Sequence, residues 1–158
     1  MLESCLKKQK QIKDVFASCL KKQKQIKDVF ASCQSSNKSA EASYKKIIDL
    51  GKKLPRLDST LKTEENLVEG CQSNTYLKAR LEGGVVFFEG ESDALISNGL
   101  LALLLAVYNE ETPETILNCK PAYLTELNIP TSLTPGRANG LAAIYLRIKQ
   151  EALKLLHM

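Results

Sequence analysis

The chain has 158 residues, of which 44% are hydrophobic and 25% are charged. This length and composition suffice for one domain with a hydrophobic core and exclude a compositionally disordered chain. The net charge of +4 is uneven, because residues 1–33 carry eight lysines against three acidic residues and residues 67–158 carry seven basic against ten acidic residues. Aromatic residues are few and no basic motif is interleaved with them, so nucleic-acid binding is not expected.

The cysteine count and the hydropathy pattern predict the compartment. Five cysteines, with no C-x-x-C pair, are typical of free thiols in a reducing environment. Lysines recur from Lys7 to Lys13, which makes the first residues too polar for a secretory signal. The longest apolar run, Gly99 to Tyr108, is far shorter than the roughly 20 residues that span a bilayer. We therefore expect a soluble, cytoplasmic protein without a membrane segment.

The N-terminal region contains an identical tandem repeat of fourteen residues, Ser4–Ala17 and then Ser18–Ala31. Ser32 and Cys33 begin a third copy that stops. Fourteen residues are two heptads, so a continuous helix from about Leu2 to Cys33 would keep its apolar residues on nearly one face. The sequence therefore predicts a lengthened N-terminal helix.

This helix divides the chain into residues 1–33 and a folded domain over residues 34–158. Only the second copy, Ser18 to Cys33, lies next to a core on which it can dock. The repeat is shorter than the usual three to four heptads of a coiled coil. A coiled-coil contact, and with it a homodimer, is nevertheless left open.

Apolar periodicity and capping residues predict the remaining helices. They cover Ser39–Leu50, Ala94–Tyr108, a short stretch after Thr112-Pro113, Pro121–Leu127, and Thr134-Pro135 to about Leu156. Gly51 is the predicted left-handed stop of the first of these helices. Ser92 or Asp93 is the predicted cap of the second. In two others a threonine cap precedes a proline at the first helical position.

Alternating residues predict three short strands, Leu67–Val68, Thr75–Leu81 and Val85–Glu89. Gly83-Gly84 separates the last two and is typical of a tight hairpin turn. The predicted fold class is therefore α+β, with a small three-stranded antiparallel sheet packed against helices.

Cys71 is the candidate nucleophile, because it lies on a short polar hinge between two predicted strands. A thiolate on an accessible loop is able to react with a group on another macromolecule. The other cysteines have structural settings: Cys5, Cys19 and Cys33 recur in the helical repeat, and Cys119 follows a short helix.

Arg137 is predicted in the first turn of the last helix, where the helix dipole disfavours a cation. A positive side chain beside free backbone N–H groups forms an anion site. Gly136 and Gly140 would allow a loop to approach closely. Two interpretations stay open, an ion pair with a carboxylate such as Asp93 and a contact that holds Cys71 or its charged adduct.

Other chemistries have little support. His157 is the only histidine, so a Cys–His dyad is not expected, and the chain has no nucleotide-binding glycine motif. A metal site needs at least three convergent ligands. Cys71, Cys119 and Asp93 are the one set that can be assembled, which leaves open a scaffold that binds zinc or an iron–sulfur cluster. A redox-sensing thiol at Cys71 is a further alternative.

Several motifs, in order and at matching spacing, resemble the SufE family of sulfur-acceptor proteins. They are Ile47–Pro55, Val68-Glu-Gly-Cys-Gln-Ser73, Gly90–Ala94, Asn98-Gly-Leu100 and Leu133–Leu141. The resemblance covers roughly residues 44–150. Tyr76 stands where the family usually has a tryptophan, and the duplicated N-terminus exceeds the family pattern.

The resemblance implies an α+β fold similar to that of the U-type iron–sulfur scaffolds. It also implies that Cys71 accepts persulfide sulfur from a cysteine desulfurase of the SufS type, stimulates that enzyme and passes the sulfur to iron–sulfur scaffold proteins. No cofactor is expected, because the pyridoxal phosphate belongs to the partner desulfurase. The implied loop and partner contacts are Glu69, Gly70, Gln72, Ser73, Asp93 and Arg137.

Overall fold

The computed structural model describes residues 16–34 and 39–157. Its elements are α1 (Ala17–Gln34), α2 (Ser39–Lys52), β1 (Thr75–Glu82), β2 (Val85–Ser92), α3 (Leu95–Tyr108), α4 (Pro113–Asn118), α5 (Ala122–Glu126), α6 (Ile129–Ser132) and α7 (Pro135–Leu156), with 3-10 turns at Ser59–Leu61 and Glu64–Asn66. The start predicted for the long helix, and the first repeat copy up to Val15, lie outside the described residues.

The hairpin is confirmed. β1 and β2 pair antiparallel from Thr75 opposite Ser92 to the turn at Gly83-Gly84. Both glycines have positive φ, at 61° and 82°, which is the backbone conformation that a two-residue hairpin turn requires. The α+β class is therefore correct, with helices packed on one small antiparallel sheet.

The prediction of a third strand at Leu67–Val68 is wrong, because the sheet in the described part of the chain has two strands. Leu67 makes an isolated bridge to Tyr76, and the Val68 N–H donates to the Thr75 carbonyl oxygen at 2.8 Å. The chain then turns away at Gly70, whose φ is 83°. Pairing therefore stops before a ladder forms.

The apolar helix α3 lies in the middle of the domain, where it packs against α1, α2, β2 and α7. Gly51 is not a left-handed stop, since its φ is not positive and α2 continues to Lys52. Instead Gly51 permits a close helix crossing: a Cβ on it would lie 2.6 Å from the Gly99 backbone nitrogen. A Cβ on Gly99 would lie 2.2 Å from the Ile47 carbonyl oxygen. Both positions therefore require glycine.

Two of the predicted helix caps are confirmed and one is wrong. The hydroxyls of Thr112 and Thr134 accept from backbone N–H groups in the first turns of α4 and α7. At the start of α3 the N-cap residue is Ala94, which has no capping side chain. The Ser92 hydroxyl accepts from the Ala94 N–H at 3.4 Å. The Asp93 carboxylate does not cap α3 and instead accepts from the Asn74 N–H.

The second repeat copy docks on the domain through α1, as predicted. Its buried face consists of Cys19, Gln23, Ile26, Phe30 and Cys33. Among the described helices, none combines the length and the apolar character needed to cross a membrane.

Candidate functional site

Cys71 lies on a turn between the end of the Leu67–Val68 segment and the start of β1. Its thiol is free and half-buried, with Sγ 3.4 Å from the Thr75 hydroxyl. On the opposite side is α7, where a Cβ built on Gly140 would lie 3.4 Å from the same sulfur. The thiol therefore rests between the strand start and the first half of α7.

Small residues on one face of α7 receive the loop. Gly136, Gly140 and Ala143 follow one another at helical spacing. A Cβ on Gly136 would lie 2.5 Å from the Gln72 amide nitrogen, and a Cβ on Gly70 would lie 3.5 Å from Cβ of Ala143. The close approach predicted from the two helix glycines is confirmed, and it brings Gly70, Cys71 and Gln72 against one helix.

Arg137 fastens the loop to α3. Its Nη1 donates to the Ser73 hydroxyl at 2.9 Å and to the Ser97 hydroxyl at 3.0 Å, and the two hydroxyl oxygens are 3.0 Å apart. Ser97 is only 2% exposed, whereas Arg137 and Ser73 are partly exposed, so the contact is partly shielded from water. The guanidinium therefore holds the residue two positions after Cys71.

The suggested ion pair between Asp93 and Arg137 is absent from the salt bridges of the described residues. Asp93 instead holds the end of the loop: its Oδ1 accepts from the Asn74 N–H at 3.2 Å, and its own N–H donates to the Asn74 carbonyl at 3.1 Å. Glu69, at the other end, is exposed and lies on a groove beside α7. The structure thus places all the predicted loop residues around Cys71.

A row of hydroxyls beneath the thiol was not predicted. Thr75 is fully buried and donates to the Ser92 hydroxyl at 2.9 Å. Its oxygen can accept from the Cys71 S–H, and rotation of the hydroxyl would let it donate to a thiolate instead. The sequence pattern that could have predicted this contact is a threonine at the first, inward-facing position of an alternating strand, four residues after the cysteine.

The proposed metal ligands do not come together. Cys119 is buried against α1, where its sulfur is 3.6 Å from the Gln23 amide. Within residues 16–34 and 39–157, no group of three or more His, Cys, Asp or Glu side chains is arranged to hold a metal ion. His157 is exposed at the end of α7. The set of Cys71, Cys119 and Asp93 is therefore wrong as a ligand set.

An open groove adjoins the loop on the outer face of α7. Glu69 and Val68 line one wall, and Leu146 and Leu153 line the other. These leucines are 56% and 49% exposed. Apolar side chains grouped in such exposed positions are typical of a surface that another protein covers.

Comparisons with known proteins identify the family of this chain. The family model described as SufE, Fe-S metabolism associated domain, matches residues 12–152. An uncharacterized SufE-like protein of Synechocystis sp. is 37% identical over 110 residues, which cover 70% of this chain and 69% of that protein. The solution structure of a hypothetical protein from Thermus thermophilus has a TM-score of 0.69 at 24% identity, covers 87% of this chain and 97% of its own, and shows the fold alone. With the family model spanning nearly the whole chain, the protein belongs to the SufE family.

Proposed function

We propose that this protein is a sulfur acceptor and carrier that takes sulfur from a cysteine desulfurase onto Cys71 and passes it to iron–sulfur cluster assembly. Family membership supports the connection with Fe–S metabolism. The observation that carries the proposal is the contrast among the described cysteines: Cys71 is partly exposed on a loop, whereas Cys19, Cys33 and Cys119 are buried. A partner protein has access to Cys71 alone among these four thiols.

The transfer is a thiol–persulfide exchange. The Cys71 thiolate attacks the outer sulfur of the donor persulfide, and the S–S bond of the donor breaks. The donor cysteine leaves as a thiolate, and Cys71 becomes the persulfide. No external oxidant or reductant is consumed. The pyridoxal phosphate that makes the donor persulfide belongs to the desulfurase.

The loop has to move outward for this exchange, because the half-buried Cys71 thiol touches Thr75 and faces Gly140 of α7. Few polar contacts resist the movement, chiefly those of Arg137 with Ser73 and of Asp93 with Asn74. Because Gly136 and Gly140 of α7 have no side chains, the loop breaks no side-chain contact with them when it moves. The loaded persulfide would return to the same place, where partial burial slows its oxidation or reduction by small molecules.

The partner surface follows from the position of the thiol. A desulfurase that brings its persulfide to Cys71 must cover the surroundings of the loop, which include the groove between Glu69 and the leucines of α7. Stimulation of the desulfurase would follow from removal of the persulfide after each turnover. The cytoplasmic location stays a prediction from the sequence.

Intact-mass analysis and peptide mapping after incubation with a SufS-type desulfurase and cysteine test the proposal. We expect a gain of one or more sulfur atoms on the Cys71 peptide, reversed by reductant, together with faster cysteine turnover. Cys71→Ser should lose both effects, and the matched variant Cys33→Ser should keep them. Sulfur uptake by Cys71→Ser, or an active desulfurase that leaves Cys71 unmodified, would contradict the acceptor role.

A further inference from the structure

Two buried thiols meet where α1 packs on the segment between α4 and α5. Cys19 is 0% exposed and Cys119 is 5% exposed. The Gln23 amide nitrogen lies 3.8 Å from Cys19 Sγ and 3.6 Å from Cys119 Sγ, so both sulfurs face the same amide group. The proposed transfer at Cys71 does not use this pair.

The backbone on both sides of the pair is held in place. Gln23 Nε2 donates to the Lys120 carbonyl at 3.0 Å, and the Tyr123 N–H donates to Gln23 Oε1 at 3.3 Å. The Tyr108 hydroxyl donates to the carbonyl of Cys119 at 2.7 Å. Cys119 is therefore fixed opposite α1 by neighbours that leave little freedom to its main chain.

Ion pairs fix the position of α1 along its own axis. Lys22 Nζ is 2.8 Å from a Glu111 carboxylate oxygen, and Lys27 Nζ is 2.6 Å from a Glu126 carboxylate oxygen. The first pair is largely buried, whereas the second is exposed. Together with the Gln23 contacts, these ion pairs hold α1 so that Cys19 lies on its side facing Cys119.

We propose that Cys19 and Cys119 form a disulfide when a small disulfide oxidant such as oxidised glutathione reaches them, and that this bond fastens the N-terminal helix to the domain. One cysteine, as thiolate, attacks glutathione disulfide and expels a glutathione thiolate. The second cysteine loses its proton and attacks the protein sulfur of the mixed disulfide, which expels the second glutathione. Two protein thiols are oxidised, and one glutathione disulfide is reduced to two thiols.

The closed structure protects the pair from this reaction. Burial, and next the neighbouring Cys119 thiol, raise the pKa of the Cys19 thiol to about 12, so that the reactive thiolate is rare at neutral pH. The reaction therefore proceeds when α1 lifts locally from the domain. Redocking of the helix then brings the second thiol to the mixed disulfide.

The test is to treat the full chain with oxidised glutathione, block the remaining thiols with iodoacetamide, and map its peptides without reduction. We expect a disulfide link between Cys119 and the tryptic peptide Asp14–Lys21, which contains Cys19, and the linked pair should weigh two hydrogens less than the sum of its two peptides. The other two repeat cysteines lie in different peptides, Met1–Lys7 and Asp28–Lys38, and are therefore distinguished. Cys119→Ser should abolish the link, whereas Cys33→Ser should keep it.

A second measurement keeps the proposal testable if the native protein oxidises slowly. Oxidation is repeated in urea just below the unfolding transition, and the thermal midpoint is then recorded without denaturant, with and without reductant. A disulfide that closes so long a loop should raise the midpoint by roughly 10 °C. If Cys119→Ser does not fold, Cys19→Ala replaces it as the variant that shows no shift.

If Cys119 is still a free thiol after oxidation in urea, the proposal is wrong. A link from Cys119 to Cys5, Cys33 or Cys71 would also overturn the assignment to Cys19. The Cys5 result is informative because the repeat copies are identical, so that peptide identity reports which copy faces Cys119. None of these outcomes bears on sulfur transfer at Cys71, which is measured separately with the desulfurase.

Discussion

The loop that carries Cys71 and the contact between Cys19 and Cys119 hold the same chemical group in two different ways. Cys71 is partly exposed, next to a hydroxyl and a glycine. Cys19 is fully buried beside a second thiol and an amide. The loop is kept closed by side-chain hydrogen bonds that a partner can replace, whereas the α1 contact combines buried apolar surface with ion pairs.

The difference is one of access, because among the four described thiols Cys71 is partly exposed and the other three are buried. Thiol reactivity depends on access and on the fraction of thiolate. The small residues of α7 allow the Cys71 loop to pack closely without a large apolar contact that would have to be broken. Four measurements test whether the two thiol environments differ in this way.

The largest difference is expected in the rate of alkylation. Iodoacetamide should modify Cys71 at least about 100-fold faster than Cys19 or Cys119, because the buried thiols react only after local opening. The measurement is a time course of peptide mapping at neutral pH. Similar rates for Cys71 and Cys119 would show that the two environments do not differ in access.

Loss of the Arg137 contact should open the Cys71 loop. Arg137→Gln removes a charged donor to Ser73 and Ser97, and a hydrogen bond to a charged group is worth about 1.5–3 kcal/mol. We expect the alkylation rate of Cys71 to rise about tenfold. The control is Arg80→Gln, which changes an exposed arginine on β1. An unchanged rate in Arg137→Gln would mean that this contact does not keep the loop closed.

A methyl group on α7 should disturb the thiol without harming the helix. Gly140→Ala places a Cβ at 3.4 Å from Cys71 Sγ, so the thiol must shift by a few tenths of an ångström. Cys71 alkylation should rise about two- to threefold, while helix propensity offsets any loss of stability by up to about 1 kcal/mol. Ala142→Gly, on an exposed position of α7, should cost about 1 kcal/mol and leave the Cys71 rate unchanged. Equal Cys71 rates in Gly140→Ala and wild type would show that α7 does not hold the sulfur.

The smallest effect is expected in alkaline stability. Burial raises the pKa of Cys19 from 9.0 to about 12, so the folded state keeps a proton that the unfolded chain releases. The stabilisation is complete below pH 9 and is lost as the pH rises towards 12. Between about pH 9 and pH 10 the urea midpoint should therefore fall.

Cys19→Ala should flatten this slope in urea titrations at closely spaced pH values. Burial also raises the pKa values of Tyr108, Tyr123 and Tyr145, whose ordinary value is 10.0, and they add to the loss at higher pH. The contribution of Cys19 is therefore best separated from that of the tyrosines at the lowest pH values of this range. An identical slope in the variant would contradict the assignment.

Local chemistry made several features predictable. The caps at Thr112 and Thr134 act through neighbours within three residues, and the hairpin at Gly83-Gly84 needs only two positive φ values. The position of Cys71 on a polar hinge and the glycines of the last helix likewise indicated the site before its geometry was known. In each case the residues that determine the local structure lie within a few positions of the structure that they form.

Other features depend on residues far apart in sequence. Asp93 binds the Asn74 backbone and not Arg137, and Arg137 instead reaches two serines on different elements. Gly51 resembles a helix stop in the sequence but serves a helix crossing with Gly99. No local pattern distinguishes these choices, because each one depends on where a second element packs.

From the sequence alone the hairpin, most of the helices and the place of Cys71 on a polar hinge were predictable, since propensity, capping and spacing act within a few residues. The tertiary structure decided that the sheet has two strands in its described part, which contacts hold Arg137, and that Thr75 supports the thiol. It also brought Cys19 to Cys119 across most of the chain. These contacts form only when separate elements pack, because burial and hydrogen bonding then select among partners that the sequence leaves equivalent.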